Sequence, residues 1–308
     1  MSLIMIPEII PTKIIMIKSA TLEVECKNDL GEGPVWDHLK GELLWVDYNN
    51  GKVCSFHPKS KSYSEVTIAE TVMVAIPTNR NNWIVAIDKN IAIFDPHRKE
   101  LIKQVTIQEN KPNNRLNDGK CDAYNRLWIG TMSITADAPE GALYKVNADL
   151  TYDKMDDPFI VPNGIAWNKN NTAMYVVDSM TKKIFRYNFN LEKGTISNKK
   201  VLIDTADEQG FPDGMAIDEY DNLWVAFWQG QTVLQYDTKT GKVLSRITTP
   251  TVIPSSCCFG DKDLSTLYIT SSRKYDTEEN IEKFPNAGGL FSFKPGIKGM
   301  PAQFFNES

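Results

Sequence analysis

Pro212-Asp213-Gly214-Met215-Ala216-Ile217-Asp218, followed at once by Asp221-Asn222-Leu223-Trp224-Val225-Ala226, decides the fold. An acid and a glycine open a short apolar strand, a polar turn follows, and an aromatic-centred strand runs back. The same phrase recurs with other letters. Pro162-Asn163-Gly164-Ile165-Ala166-Trp167 leads to Met174-Tyr175-Val176-Val177, and Asn117-Asp118-Gly119-Lys120-Cys121-Asp122 leads to Arg126-Leu127-Trp128-Ile129. Gly31-Glu32-Gly33-Pro34-Val35-Trp36 leads to Leu44-Trp45-Val46. With two weaker copies, the second-strand aromatics fall at Trp45, Trp83, Trp128, Tyr175, Trp224 and Tyr268. Their spacings of 38, 45, 47, 49 and 44 residues average about 45, the length of a four-stranded propeller blade.

Each unit continues into a third strand, such as Lys52 to Phe56, Ala142 to Val146 or Leu290 to Phe293, and Lys242 to Ile247 reads as a fourth. Asn49-Asn50-Gly51 and Thr240-Gly241 supply hairpin turns between strands. No long stretch carries a 3.6-residue apolar period. The expectation is an all-β, six-bladed β-propeller of four-stranded antiparallel blades with a central metal site. A double sandwich would require the six-fold spacing to be accidental. Thr21 to Cys26 alternates through Leu22, Val24 and Cys26, and is expected to close the ring against the last blade, which removes free sheet edges. Residues 1–19 are then a loosely ordered N-terminal extension and 20–308 a single propeller domain.

The chain has 308 residues, 42% hydrophobic and 24% charged, enough to bury a large core. Its 34 basic and 39 acidic residues give a net charge of -5, with no basic footprint for nucleic acid. Five cysteines without CxxC spacing argue against a disulfide framework and a zinc ribbon. The adjacent Cys257 and Cys258 read as small buried strand residues, and a reduced, cytoplasmic setting follows. Met1 to Lys18 is apolar but broken by Pro7, Glu8, Pro11 and Lys13, which leaves neither a membrane span nor an export signal. A monomer or weak dimer, with no membrane partner, is expected.

In a propeller the first strand of every blade lines the central channel and starts on one face. Glu32, Asn117 with Asp118, Asn163 and Asp213 hold those starts, so they should converge on one axis, with Thr71-Val72 and Ser255-Ser256 in the two remaining blades. Taken singly, each Asn/Asp-Gly pair fits turn chemistry as well. Together, carboxylates and amides without histidine or cysteine make a hard-oxygen set suited to Ca²⁺, Mg²⁺ or Mn²⁺; Zn²⁺ would lack its usual ligands. His38, His57 and His97 lie elsewhere in the repeat. Arg115, two residues before Asn117, points to the same side on extended backbone, unless it serves a surface ion pair. The second-to-third-strand connections are short except at 133–140 and 273–287, which are long enough to form lids over the channel mouth.

Asn113-Asn114-Arg115-Leu116-Asn117-Asp118-Gly119-Lys120, Gly130-Thr131-Met132, Gly141-Ala142-Leu143-Tyr144, Pro162-Asn163-Gly164 and Pro212-Asp213-Gly214 carry a resemblance. Ser256-Cys257-Cys258-Phe259-Gly260 and Ala287-Gly288-Gly289 extend it. From about Glu25 to Gly299 the chain resembles the regucalcin (senescence marker protein), gluconolactonase and luciferin-regenerating enzyme family. The resemblance implies one divalent cation at the propeller centre, Ca²⁺ first, with Zn²⁺, Mn²⁺ or Mg²⁺ able to serve activity. It puts the metal ligands at Glu32, Asn163 and Asp213, and substrate contacts at Arg115 and Asn117. Thr135 stands where the family carries a glutamate that binds sugar-lactone hydroxyls, in a shorter lid that also offers Asp137. The implied function is metal-dependent hydrolysis of a small-molecule lactone, the cation polarising the carbonyl and Asp213 activating water. A related hydrolase of another substrate, a Ca²⁺-binding regulatory protein and a plain interaction propeller are the alternatives.

Overall fold

Six sheets radiate from one axis in a computed structural model that describes residues 18–108 and 110–308. The innermost strands are Gly31–Asp37, Val74–Pro77, Asn114–Cys121, Pro162–Trp167, Phe211–Ile217 and Pro254–Gly260. Each is followed outward, in chain order, by the next strands of its own antiparallel blade. The architecture is the six-bladed propeller that the 45-residue period predicts.

The last blade is completed from the other end of the chain. Thr21–Val24 pairs antiparallel with Leu290–Phe293, Leu22 opposite Phe291 and Val24 opposite Leu290. The alternating stretch therefore closes the ring as its pattern implies. Lys18–Ser19 departs from the expected extension: it adds a parallel fifth strand to blade five, Lys18 opposite Ile247. The rest of that extension, 1–17, lies outside the described residues.

The core is distributed between blades rather than gathered at one centre. Six apolar clusters each bridge two neighbouring blades, and the repeated aromatics sit inside them. Trp45, Trp128, Trp224 and Tyr268 are fully buried. A buried indole keeps a polar handle that needs a partner. Trp128 Nε1 donates to Asp122 at 2.8 Å, Trp224 Nε1 to Asp218 at 3.0 Å and Trp45 Nε1 to Asn28 at 2.7 Å. The aspartate that ends an inner strand thus anchors the aromatic of the next strand and, through the Tyr220 and Asn222 amides, the turn between them.

Cys257 and Cys258 are buried in their inner strand, and all five cysteines are free thiols. Burial pushes the Cys257 thiol up to about 12, so it is an inert packing group. Among the described residues, no helix is long and apolar enough to cross a membrane. Of the two long connections, 134–140 is irregular. The other carries a feature that periodicity missed, a short helix Glu278–Lys283, whose N-cap Thr277 accepts from the Asn280 amide at 3.2 Å.

Candidate metal centre

Five of the six inner strands slip register against their neighbours near the same end. Pairing jumps between Glu32 and Val35, Leu116 and Gly119, Asn163 and Ile165, Pro212 and Met215, and Pro254 and Ser256. Such bulges bend a strand and re-aim the side chains within it. Glu32, Asn117, Asp118, Asn163 and Asp213 all lie in or beside a slip. The Asn/Asp-Gly pairs are therefore bulges inside strands, not turns. Blade two has no slip, and its inner strand starts at Val74, later than Thr71-Val72 implies. Met73 takes its place on the cavity wall.

The bulged residues converge. Glu32, Arg115, Asn117, Asp118 and Asn163 form the polar wall of a cavity of about 40 Å³, with Leu30, Tyr48 and Met73 as its apolar side. Asp213 is buried against this wall, its Oδ1 accepting from Asn163 Nδ2, which also reaches Ser179 Oγ at 3.3 Å. Arg115 has no ion pair among the described residues. Its guanidinium lies 5.1 Å from the Tyr48 ring centroid and donates to Asn117 Oδ1 at 2.9 Å, while Asn117 Nδ2 donates to the Pro162 carbonyl at 3.0 Å. Ring, guanidinium, amide and carbonyl hold one another in a fixed order.

Charge is unbalanced here. Burial pushes the carboxyls of Glu32, Asp118 and Asp213 above the usual carboxylate range. Asp213 and Asp118 add to the effect on Glu32, and Asp118 adds to it on Asp213. The Gly33 amide and Arg115 oppose it at Glu32, and Lys120 and the Gly119 amide oppose it at Asp118. None of the three carboxylates has an ion-pair partner among the described residues. No three of the described His, Cys, Asp and Glu side chains draw together as a ready-made metal cage. The donor chemistry nevertheless fits a hard divalent cation: carboxylates and an amide, in surroundings that penalise uncompensated negative charge.

Asp118 is the residue that the sequence-implied set of Glu32, Asn163 and Asp213 omits. It shares a blade position with Asp213 and is one of the strand starts expected to converge, while the resemblance gives Asn117 beside it a substrate contact. Asp118 also borders a second cavity of about 120 Å³ lower in the channel, where Lys120 Nζ donates to the Met215 carbonyl at 2.7 Å. Thr135 is exposed on the first lid and off the cavity wall; its Oγ1 donates to Asp137 Oδ1 at 2.5 Å. The second lid is tied down through Tyr275, which packs 5.7 Å from Trp228 and donates to Asn49 Oδ1 at 3.3 Å. His38 sits away from this end, stacked 4.5 Å from Phe304.

Residues 30–273 match the family model described as the SMP-30/Gluconolactonase/LRE-like region. The chain belongs to this family. Regucalcin from Danio rerio is 33% identical over 289 residues, 92% of this chain and 98% of its own. A candidate sugar lactone lactonase, YvrE of Bacillus subtilis (strain 168), is 33% identical over 273 residues, 89% of this chain and 94% of its own. Among solved structures, a luciferin-regenerating enzyme superposes with a TM-score of 0.86 at 30% identity, over 93% of this chain and 99% of its own. Family membership agrees with the propeller and with the resemblance carried by the motifs around Asn117, Asn163 and Asp213.

Proposed function

We propose that this protein is a divalent-metal-dependent lactone hydrolase, with sugar lactones the class that its relatives' names supply. One observation carries the reading: carboxylates from three blades converge with Asn163 at the channel mouth, without an ion-pair partner among the described residues. Glu32, Asn163 and Asp213 would hold the ion. A bound divalent cation supplies Lewis acidity that polarises the lactone carbonyl and stabilises developing negative charge. Arg115 and Asn117, locked between Tyr48 and the Pro162 carbonyl, orient the substrate oxygens. Asp213, held beside Asn163 at this wall, accepts a proton from the attacking water. Water adds to the carbonyl carbon, the ring ester bond breaks, and the ring oxygen takes up the proton that Asp213 holds and leaves as the alcohol of a hydroxy acid.

The test is chelator-stripped protein assayed on a lactone panel with Ca²⁺, Mn²⁺, Mg²⁺ or Zn²⁺ added back singly. Turnover is expected only with a cation present, and Asp213→Ala should abolish it. Full activity after complete metal removal, or near wild-type turnover by Asp213→Ala, would overturn the mechanism.

A further inference from the structure

The metal cavity opens sideways. Tyr48, Met73 and Arg115 line both it and an open groove of about 460 Å³, against about 40 Å³ for the cavity itself. The smaller space holds only a few water-sized groups, so it can take the reacting ester but not a whole substituted ring. Whatever the ring carries must lie in the groove. Ile87 of blade two and Ile134 of the first lid add to Tyr48 and Met73 on its wall, with Thr71 beside them and Glu70 and Asp88 exposed at its rim.

Ile134 is the informative side chain. It is 59% exposed on a surface lid, where it finds little packing of its own, yet its backbone is fixed by donation to the Asn113 carbonyl at 2.9 Å. The lid's polar groups turn to one another instead: Ser133 Oγ lies 2.8 Å from Thr135 Oγ1, which donates to Asp137. The lid therefore offers methyl groups, not hydrogen-bonding partners, to the groove. Glu70, Thr71, Asp88 and Arg115 also border the groove, but a sugar lactone lying against the wall of Ile134, Met73 and Ile87 would leave hydroxyls unpaired on that side, while the rim carboxylates repel an anionic arm. We infer that the substrate is a lactone bearing a neutral alkyl or aryl arm, which lies in this groove against Ile134, Met73 and Tyr48. The inference rests on the lactonase reading above and departs from the sugar lactones of the relatives' names in the nature of the ring substituent.

Its test uses the metal-loaded protein and γ-lactones matched in ring size: a γ-alkyl lactone, a γ-phenyl lactone and a γ-aldonolactone. The alkyl and phenyl compounds should be preferred in kcat/KM by about tenfold or more, the scale at which apolar pockets discriminate. Ile134→Asp should cut that preference about tenfold, chiefly through KM, and Ile134→Leu should retain it. Equal or better turnover of the aldonolactone, or an unchanged preference in Ile134→Asp, overturns the groove assignment while the lactonase reading stands. Failure to hydrolyse any lactone with any cation overturns both.

Discussion

At Asp213, burial and the Asp118 charge favour the protonated acid, while the Gly214 amide and Asn163 favour the carboxylate. The balance lies with the proton, and Glu32 and Asp118 share its direction. A carboxyl whose folded-state pKa is raised binds more protons folded than unfolded across the interval between the two values. Stability then falls as pH rises through that interval. Metal-free protein should therefore lose Tm as pH rises above the ordinary carboxylate range. A cation at Glu32, Asn163 and Asp213 should offset the loss and stabilise more at pH 8 than at pH 5. Thermal melts at both pH values, with chelator or Ca²⁺, check this; a metal-free Tm that climbs with pH contradicts it. Asp213→Asn removes one of three crowded like charges. It should raise the metal-free Tm at pH 8 and lower kcat by about 10²–10⁴, the usual contribution of a positioned acid or base. Paired melting and steady-state assays separate those two effects.

Bulges, more than strands, are the elements that build the site. An unbroken inner strand would alternate its side chains between two faces, as blade two does. The slips at Glu32, Asn117, Asn163 and Asp213 re-aim polar groups at the channel without interrupting the blade. They also bring inner strands so close that no Cβ fits. A methyl on Gly214 would strike Ser256 Oγ and lie 2.8 Å from its Cα, and one on Gly164 would lie 2.5 Å from the Asp213 carbonyl oxygen. Gly214→Ala is expected to cost about 1–3 kcal/mol, as overpacking does, and to weaken cation binding by displacing Asp213. Urea denaturation and a Ca²⁺ titration on the folded variant measure the two consequences; unchanged values in both would remove the close-approach argument. The repeated Asn/Asp-Gly pairs made these positions legible in the sequence. Their being bulges was not, because the same residues suit tight turns. Asp118 was legible with Asn117 as a strand start near the axis but not as a candidate ligand: two adjacent polar residues share one slip, and the re-aimed backbone brings both to the wall.

Ring closure was legible in the alternation of Leu22 and Val24, which needs a half-buried strand, and the structure gives it Leu290–Phe293 as partner. The other end of the chain carried no such signal. Residues after Gly299 belong to no repeat, yet they strap the face opposite the candidate metal centre. The Met300 amide donates to the Ile217 carbonyl at 3.0 Å, Phe304 stacks on His38, and Asn125 Nδ2 donates to the Phe304 carbonyl at 2.7 Å. Phe305 pairs with Thr78 and is fully buried in the cluster between blades two and three. The strap thereby ties blades one, two, three and five through contacts at the far ends of their inner strands. Chain position alone could not reveal this, since the adjacent Phe304 and Phe305 of a short tail have no periodicity to place them. The strap's role is to hold blades together rather than to shape the mouth, so stability and turnover should separate. Phe305→Ala empties a fully buried aromatic site and should cost about 3–5 kcal/mol in urea denaturation. Below its melting range it should hydrolyse lactones with a KM within about twofold of wild type, because no strap residue lines the candidate metal cavity or the side groove. A larger KM change at full folding would show that the two faces communicate through the channel, with Asp118 and Lys120, which border the lower cavity, as the first residues to test.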